Sequence, residues 1–133
     1  MIDINSVTYE QLNNVITDLG QPEFRTKQIF TWLHKNGVSS FDEMTNISKS
    51  LREKLSENFY ISTCQIEDKY ISKIDGTVKY LFKLSDGEYI ESVIMKYKYG
   101  YTICVSSQVG CNMGCSFCAS GLLKKVRDLQ VSE

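Results

Sequence analysis

Apolar positions recur at helical spacing over the first sixty residues and then alternate with polar ones, so the chain changes period near Tyr60. Leu12, Val15, Ile16 and Leu19 form one helical face. Thr8 and Gln11 make a capping box ahead of it, and Gly20 supplies the stop. Pro22 suits the first position of a second helix, which carries the stripe Ile29, Trp32 and Leu33 and ends before Gly37. Ser40 with Glu43 and Ser50 with Glu53 repeat the capping signal, the second leading into Leu51, Leu55 and Phe59. The pattern predicts three helices and a single turn near residues 41 to 44.

Beyond Tyr60, "ISKIDGTVKYLFKL" places Asp75-Gly76 between two apolar runs, and Val78, Tyr80, Phe82 and Leu84 alternate. That is a hairpin whose tight turn needs a positive φ. Asp86-Gly87 leads into a third strand in "EYIESVIMKYKYG", and "YTICVSS" is a fourth that runs into a cysteine-rich loop. The predicted division is a helical module over 1–60, an antiparallel β segment over 61–100, and a further segment that begins at 101 and runs to 133. No internal repeat is evident.

Composition narrows the class. With 42% hydrophobic and 23% charged residues and a single proline, the chain can pack a core and has no disordered signature. No run approaches the ~18 apolar residues of a membrane span, and no basic segment leads into an apolar one; the expectation is a soluble, cytoplasmic protein with no membrane contact. Five cysteines, an odd number and clustered, point to metal or redox chemistry rather than a disulfide framework. The net charge of −1 gives no global pull toward nucleic acid, so any RNA contact would rest on patches such as "KSLREK" (49–54) and "KKVR" (124–127), which also read as solvated faces.

In "SSQVGCNMGCSFCASG" (106–121), Cys111, Cys115 and Cys118 are spaced C-x3-C-x2-C. This is neither a zinc ribbon, which needs a second ligand pair, nor the bacterial ferredoxin run. Three thiolates can hold three irons of a 4Fe-4S cluster and leave the fourth iron open to a ligand. Gly110 and Gly114 permit positive φ and let backbone N–H groups point at sulfur, and Phe117 could shield one side of the site. Cys104 as a fourth ligand would instead close a structural zinc site, making the chain a zinc-stabilised RNA-binding module. Of the other spare ligands, His34 reads as a surface or capping residue and Cys64 as core packing.

The loop resembles the signature of the radical S-adenosylmethionine enzymes, C-x3-C-x-aromatic-C, in Cys111, Cys115, Phe117 and Cys118. With "ESV" upstream, "CVSSQVGC" leading in, and "FRTKQIFTWLHKNGVSSFDEMTNISKSLREKL" near the N-terminus, the whole chain is similar to the bacterial dual-specificity RNA methyltransferase family RlmN. The related Cfr enzymes, which modify carbon 8 rather than carbon 2 of an adenine, share the loop. The resemblance implies a 4Fe-4S cluster on Cys111, Cys115 and Cys118, S-adenosylmethionine on the free iron, and radical methylation of adenine carbon 2 in 23S rRNA and tRNA. It implies an electron donor such as flavodoxin, and a monomer is expected. It also implies that Phe117 lies beside the cofactor, that Glu91 is the proton acceptor, and that Cys104 resolves a protein–RNA adduct through a transient disulfide with a methyl-carrying cysteine.

The residues alone place Tyr89, Glu91, Val93 and Met95 on one strand face, a carboxylate beside apolar neighbours that would raise its pKa toward that of a general base; a plain surface position fits the pattern equally. Cys104 projects opposite to Ile103 and Val105. The implied fold is α+β: a small helical domain that binds RNA or docks the barrel, antiparallel hairpins, then the truncated start of a radical-SAM α/β, partial TIM-type barrel. Only 15 residues follow Cys118, and "RDL" (127–129) stands where the family usually has "RNL" at the start of the first barrel helix. The carrier cysteine has no counterpart, so the 133-residue chain is expected to be the N-terminal part of the enzyme, poor in cluster assembly and inactive alone.

Overall fold

The computed structural model describes residues 1–133. These form two compact units, Met1–Thr63 with Ser132 and Cys64–Val131 with Glu133.

The first unit is helical. Helix α1 (Tyr9–Asp18) opens with the complete Thr8–Gln11 capping box and ends at Gly20, φ 70°. Helix α2 (Phe24–Thr31) continues into a wider turn, Trp32–Asn36, that Gly37 closes at φ 63°. A single 3-10 turn covers Phe41–Glu43 under its own Ser40–Glu43 capping box, and helix α3 spans Lys49–Asn58. The first strand, β1 (Ile2–Asp3), pairs in parallel with β2 (Phe59–Tyr60), which ties the two ends of the unit together. Burial follows the periodicity. Leu12, Ile16, Ile29, Leu33, Leu51, Leu55 and Phe59 share one core with Ile4, Val38, Met44 and Ile47, and Val15, Leu19 and Trp32 pack on its margin.

Two boundaries move. Pro22 lies two residues ahead of α2 rather than at its first position, with its carbonyl accepting the Arg25 N–H at 3.0 Å. The cap of α3 is Ser48, whose hydroxyl accepts the Leu51 N–H at 3.4 Å; Ser50 sits in the first turn, exposed. With the cap at Ser48 the helix starts at Lys49, two residues earlier than a cap at Ser50 would set it, and Leu51 and Leu55 are its buried residues.

The second unit is built on an antiparallel meander of β3 (Gln65–Ile71), β4 (Val78–Lys83), β5 (Tyr89–Tyr97) and β6 (Gly100–Val105), paired in that order. Gly76 and Gly87 take positive φ in the first two turns, and Asp75 and Asp86 each accept a backbone N–H two residues on. A small core of Leu84, Ile90 and Val109 sits at one end. Past β6 the chain forms a two-residue ribbon, β7 (Gln108–Val109) against β8 (Arg127–Asp128). The fold is thus mixed α and β with three helices and antiparallel sheets. "RDL" contributes Arg127 and Asp128 to a strand where a helix was expected, and Arg127 is held from both sides by Asp86 at 2.7 Å and Glu133 at 2.7 Å.

The shifted cap is directly testable. Ser48→Ala should cost about 1 kcal/mol in urea unfolding while Ser50→Ala stays within about 0.5 kcal/mol of the parent.

Candidate functional site

Strand register builds the site. Lys79 lies opposite Val93, and Val93 opposite Cys104, so side chains at these positions share one face of the sheet, together with Leu81, Tyr89 and Glu91. Glu91 and Cys104 are therefore diagonal neighbours across β5 and β6, a geometry that separates backbones by about 7–8 Å. The opposite face carries Val78, Tyr80, Phe82, Ile90, Ile94 and Ile103.

Glu91 does not occupy the apolar setting that its strand neighbours suggested. Its carboxylate is 51% exposed and pairs with Lys79 at 2.9 Å. Hydrogen bonding and charge attraction from Glu91 hold the Lys79 ammonium above its ordinary range. The lysine escapes a reading of the single strand because it arrives from β4, two positions off in the pairing; the Asp86-Gly87 turn that fixes this register is the signal that could have found it.

The loop from Gly110 to Lys125 is closed at its base by backbone. Val126 donates to the Val109 carbonyl at 2.8 Å, Cys111 to Leu123 at 2.9 Å, and Leu129 to Ser107 at 3.0 Å. Gly110, φ 68°, is required there: a Cβ would run into the Lys124 carbonyl. Gly114, φ 63°, turns the chain between the first two cysteines with open space around it. The Met113 N–H reaches the Cys111 sulfur at 3.4 Å, and the Gly121 N–H donates to the Cys118 carbonyl at 3.0 Å.

Cys104, Cys111, Cys115 and Cys118 are free thiols. The last three share the loop, but no three Cys, His, Asp or Glu side chains converge on a common point. Phe117 stands 91% exposed. Cys104 lies on the sheet rather than in the loop, and His34 packs its ring 4.1 Å from Phe30 in the helical unit. Cys64 is half-buried and points its sulfur at the Glu133 carbonyl, 3.7 Å away.

Between the sheet face and the loop is a cavity of about 220 Å³ lined by Leu81, Glu91, Ser106, Gly110, Ala119 and Ser120. Ser106, missed in the sequence, ties β6 to β5 by donating to the Glu91 carbonyl at 2.8 Å. The cavity joins the candidate base to the residues that follow the third cysteine, and it is smaller than the ~300–1,000 Å³ of ordinary ligand pockets. From Ser92 to Arg127 the chain has no acidic residue, while Lys96, Lys98, Lys124, Lys125 and Arg127 are basic. Cysteine ligands in the loop meet no acidic side chain from this segment, and Glu91 is the one acidic residue lining the cavity beside it. The donor set, three free thiols on a glycine-hinged loop with a backbone N–H directed at sulfur, therefore suits an iron–sulfur cluster.

A helical unit followed by an antiparallel sheet that feeds a three-cysteine loop is the arrangement of the N-terminal region of a radical SAM methyltransferase. The crystal structure of one from Sphaerobacter thermophilus superposes with a TM-score of 0.82 at 35% identity, over 97% of this chain and 38% of that one. Residues 2–61 match the family described as "Ribosomal RNA large subunit methyltransferase N-terminal domain". The "Probable dual-specificity RNA methyltransferase RlmN" of Alkaliphilus oremlandii is 54% identical over 132 residues, covering 99% of this chain and 38% of that protein. Its namesake in Clostridium novyi is 51% identical over 133 residues, 100% of this chain and 39% of that protein. Over its whole length the chain is similar to proteins of the RlmN family, and it spans under two-fifths of the length of these relatives.

Gly110→Ala should unlock the loop base, with the Cys111 and Val126 amides losing hydrogen-exchange protection. Gly114→Ala should bear only the backbone strain of about 1–2 kcal/mol and keep that protection; equal protection in both variants would contradict the assigned role of Gly110.

Proposed function

We propose that this chain supplies the cluster-binding and base-bearing part of a radical S-adenosylmethionine methyltransferase that acts on adenine carbon 2 in 23S rRNA and tRNA. The observation that carries the reading is the cavity lined both by Glu91 and by residues of the cysteine loop, on a chain half-identical to proteins named as RNA methyltransferases. Cys111, Cys115 and Cys118 would hold a 4Fe-4S cluster, with Phe117 beside the cofactor. When bound, the cluster and S-adenosylmethionine supply one-electron cleavage chemistry, fed by an electron donor such as flavodoxin.

The chain's own residues do the rest by position. Gly110 and Gly114 let the loop backbone bend so that N–H groups, already directed at sulfur at Met113, stabilise negative charge there. Glu91 accepts the proton that leaves the ring carbon as aromaticity is restored, and Lys79, paired with it at 2.9 Å, orients the carboxylate between turnovers. Cys104, diagonal to Glu91 across the strand pair, would resolve the adduct: its sulfur bonds to the sulfur of the family's methyl-carrying cysteine as that sulfur's bond to the transferred carbon breaks, the electron pair staying with the carbon, which takes up a proton. One sheet face thus presents proton acceptor and resolving thiol together. The helical unit binds the RNA or docks the remainder of the enzyme.

Anaerobic reconstitution with iron and sulfide tests the reading. The full-length enzyme should gain visible charge-transfer absorbance that disappears in Cys111→Ala, Cys115→Ala and Cys118→Ala; absorbance surviving all three changes, or stoichiometric zinc without iron or sulfide, would overturn the reading.

A further inference from the structure

The helical unit contains a concavity of about 430 Å³ that the chemistry above leaves unused, lined by Phe24, Lys27, Gln28, Trp32, Asn36 and Asn46. Its size falls in the range of ordinary small-ligand sites, and its chemistry is uneven in an informative way. Phe24 is 54% exposed although it is a large apolar residue at the start of a helix. Trp32 is fixed: its indole N–H donates to the Asn46 side-chain oxygen at 2.6 Å, which also sets the amide orientation of Asn46. Arg25 braces the rim by donating to Gln28 Oε1 at 2.8 Å and to the Asn46 carbonyl at 3.0 Å, with its guanidinium 4.8 Å from the Phe24 ring centroid.

Charge points the same way. From Phe24 to Phe41 the chain has Arg25, Lys27, His34 and Lys35 and no acidic residue, in a protein whose net charge is −1. The two basic runs that stand out in the sequence are largely committed elsewhere, Arg52 to Asp42 at 3.2 Å, Lys49 to Glu53 at 3.9 Å, Lys125 to Asp128 at 2.7 Å and Arg127 to Asp86. Lys27, by contrast, opens onto the concavity.

We propose that this concavity binds one unpaired nucleobase of the RNA substrate, stacked against Phe24 and Trp32, with carboxamides reading its edge and Lys27 meeting the adjoining phosphate. The proposal rests on the reading of RNA as substrate and names where the helical unit holds it. Aromatic faces with flanking carboxamide donors and acceptors are the chemistry by which single-stranded bases are recognised. An amphipathic peptide helix would want several apolar anchors at helical spacing and a less polar rim.

Trp32 is the only tryptophan in the chain, so its emission reports on this concavity alone. Titrating the 133-residue protein with a short unstructured oligoadenylate should quench Trp32 saturably, in parallel with the anisotropy of a labelled copy of the oligonucleotide. Phe24→Ala should weaken binding about tenfold or more, Phe24→Tyr should restore it, and Lys27→Ala should lower the salt slope by about 0.7. Circular dichroism of each variant confirms that the fold is kept. Anisotropy that shows binding while Trp32 emission and Phe24→Ala change nothing would overturn the proposal and leave RNA as substrate. Absence of oligonucleotide binding would also overturn it, and the cluster absorbance would then decide the enzyme reading separately.

Discussion

The pairing register of β4, β5 and β6 is the constraint on which the rest of the candidate site depends. A two-residue turn, Lys98-Tyr99, sets Tyr97 opposite Gly100, and from there Val93 opposite Cys104. A slip of one residue would send either Glu91 or Cys104 to the other face, since side chains alternate strictly along a strand. With the observed register, Glu91, Cys104 and Lys79 share a face, and β6 delivers the chain directly into the cysteine loop.

The loop continues the same logic with backbone rather than side chains. Its base is pinned by main-chain bonds at Val109, Cys111 and Ser107 and by the two-sided grip on Arg127, while the thiols themselves stay uncommitted to one another. A bonded base carrying cysteines that do not bond one another suits a ligand whose own geometry organises them. Metal binding commonly completes the order of its site in this way, because deprotonated ligands repel until the cation arrives.

Much of this was legible in the sequence where local signals decide structure. The Thr8–Gln11 box, the three helical stripes and both Asp-Gly turns produced the elements they announce. What could not be read were features set by distant partners. The Lys79–Glu91 pair depends on strands joined through a turn, and the β7–β8 ribbon joins segments that share no alternating pattern and are held by Arg127 reaching to Asp86, on another turn of the chain. The concavity at Phe24 and Trp32 escaped for a related reason: Asn46 comes to it from beyond the turn at Phe41–Glu43, although the acid-free run from Phe24 to Phe41 was visible in the sequence.

The central claim is that three thiols, and not four, form the ligand set, leaving Cys104 on the sheet beside Glu91. The most direct measurement is the iron and sulfide content of the full-length Cys104→Ala enzyme after anaerobic reconstitution, compared with the cluster-loaded parent under the same conditions. The account expects the two to carry equal iron and sulfide. Loss of bound metal on removing Cys104 alone would contradict it, because that thiol would then be a fourth ligand and the site a closed one.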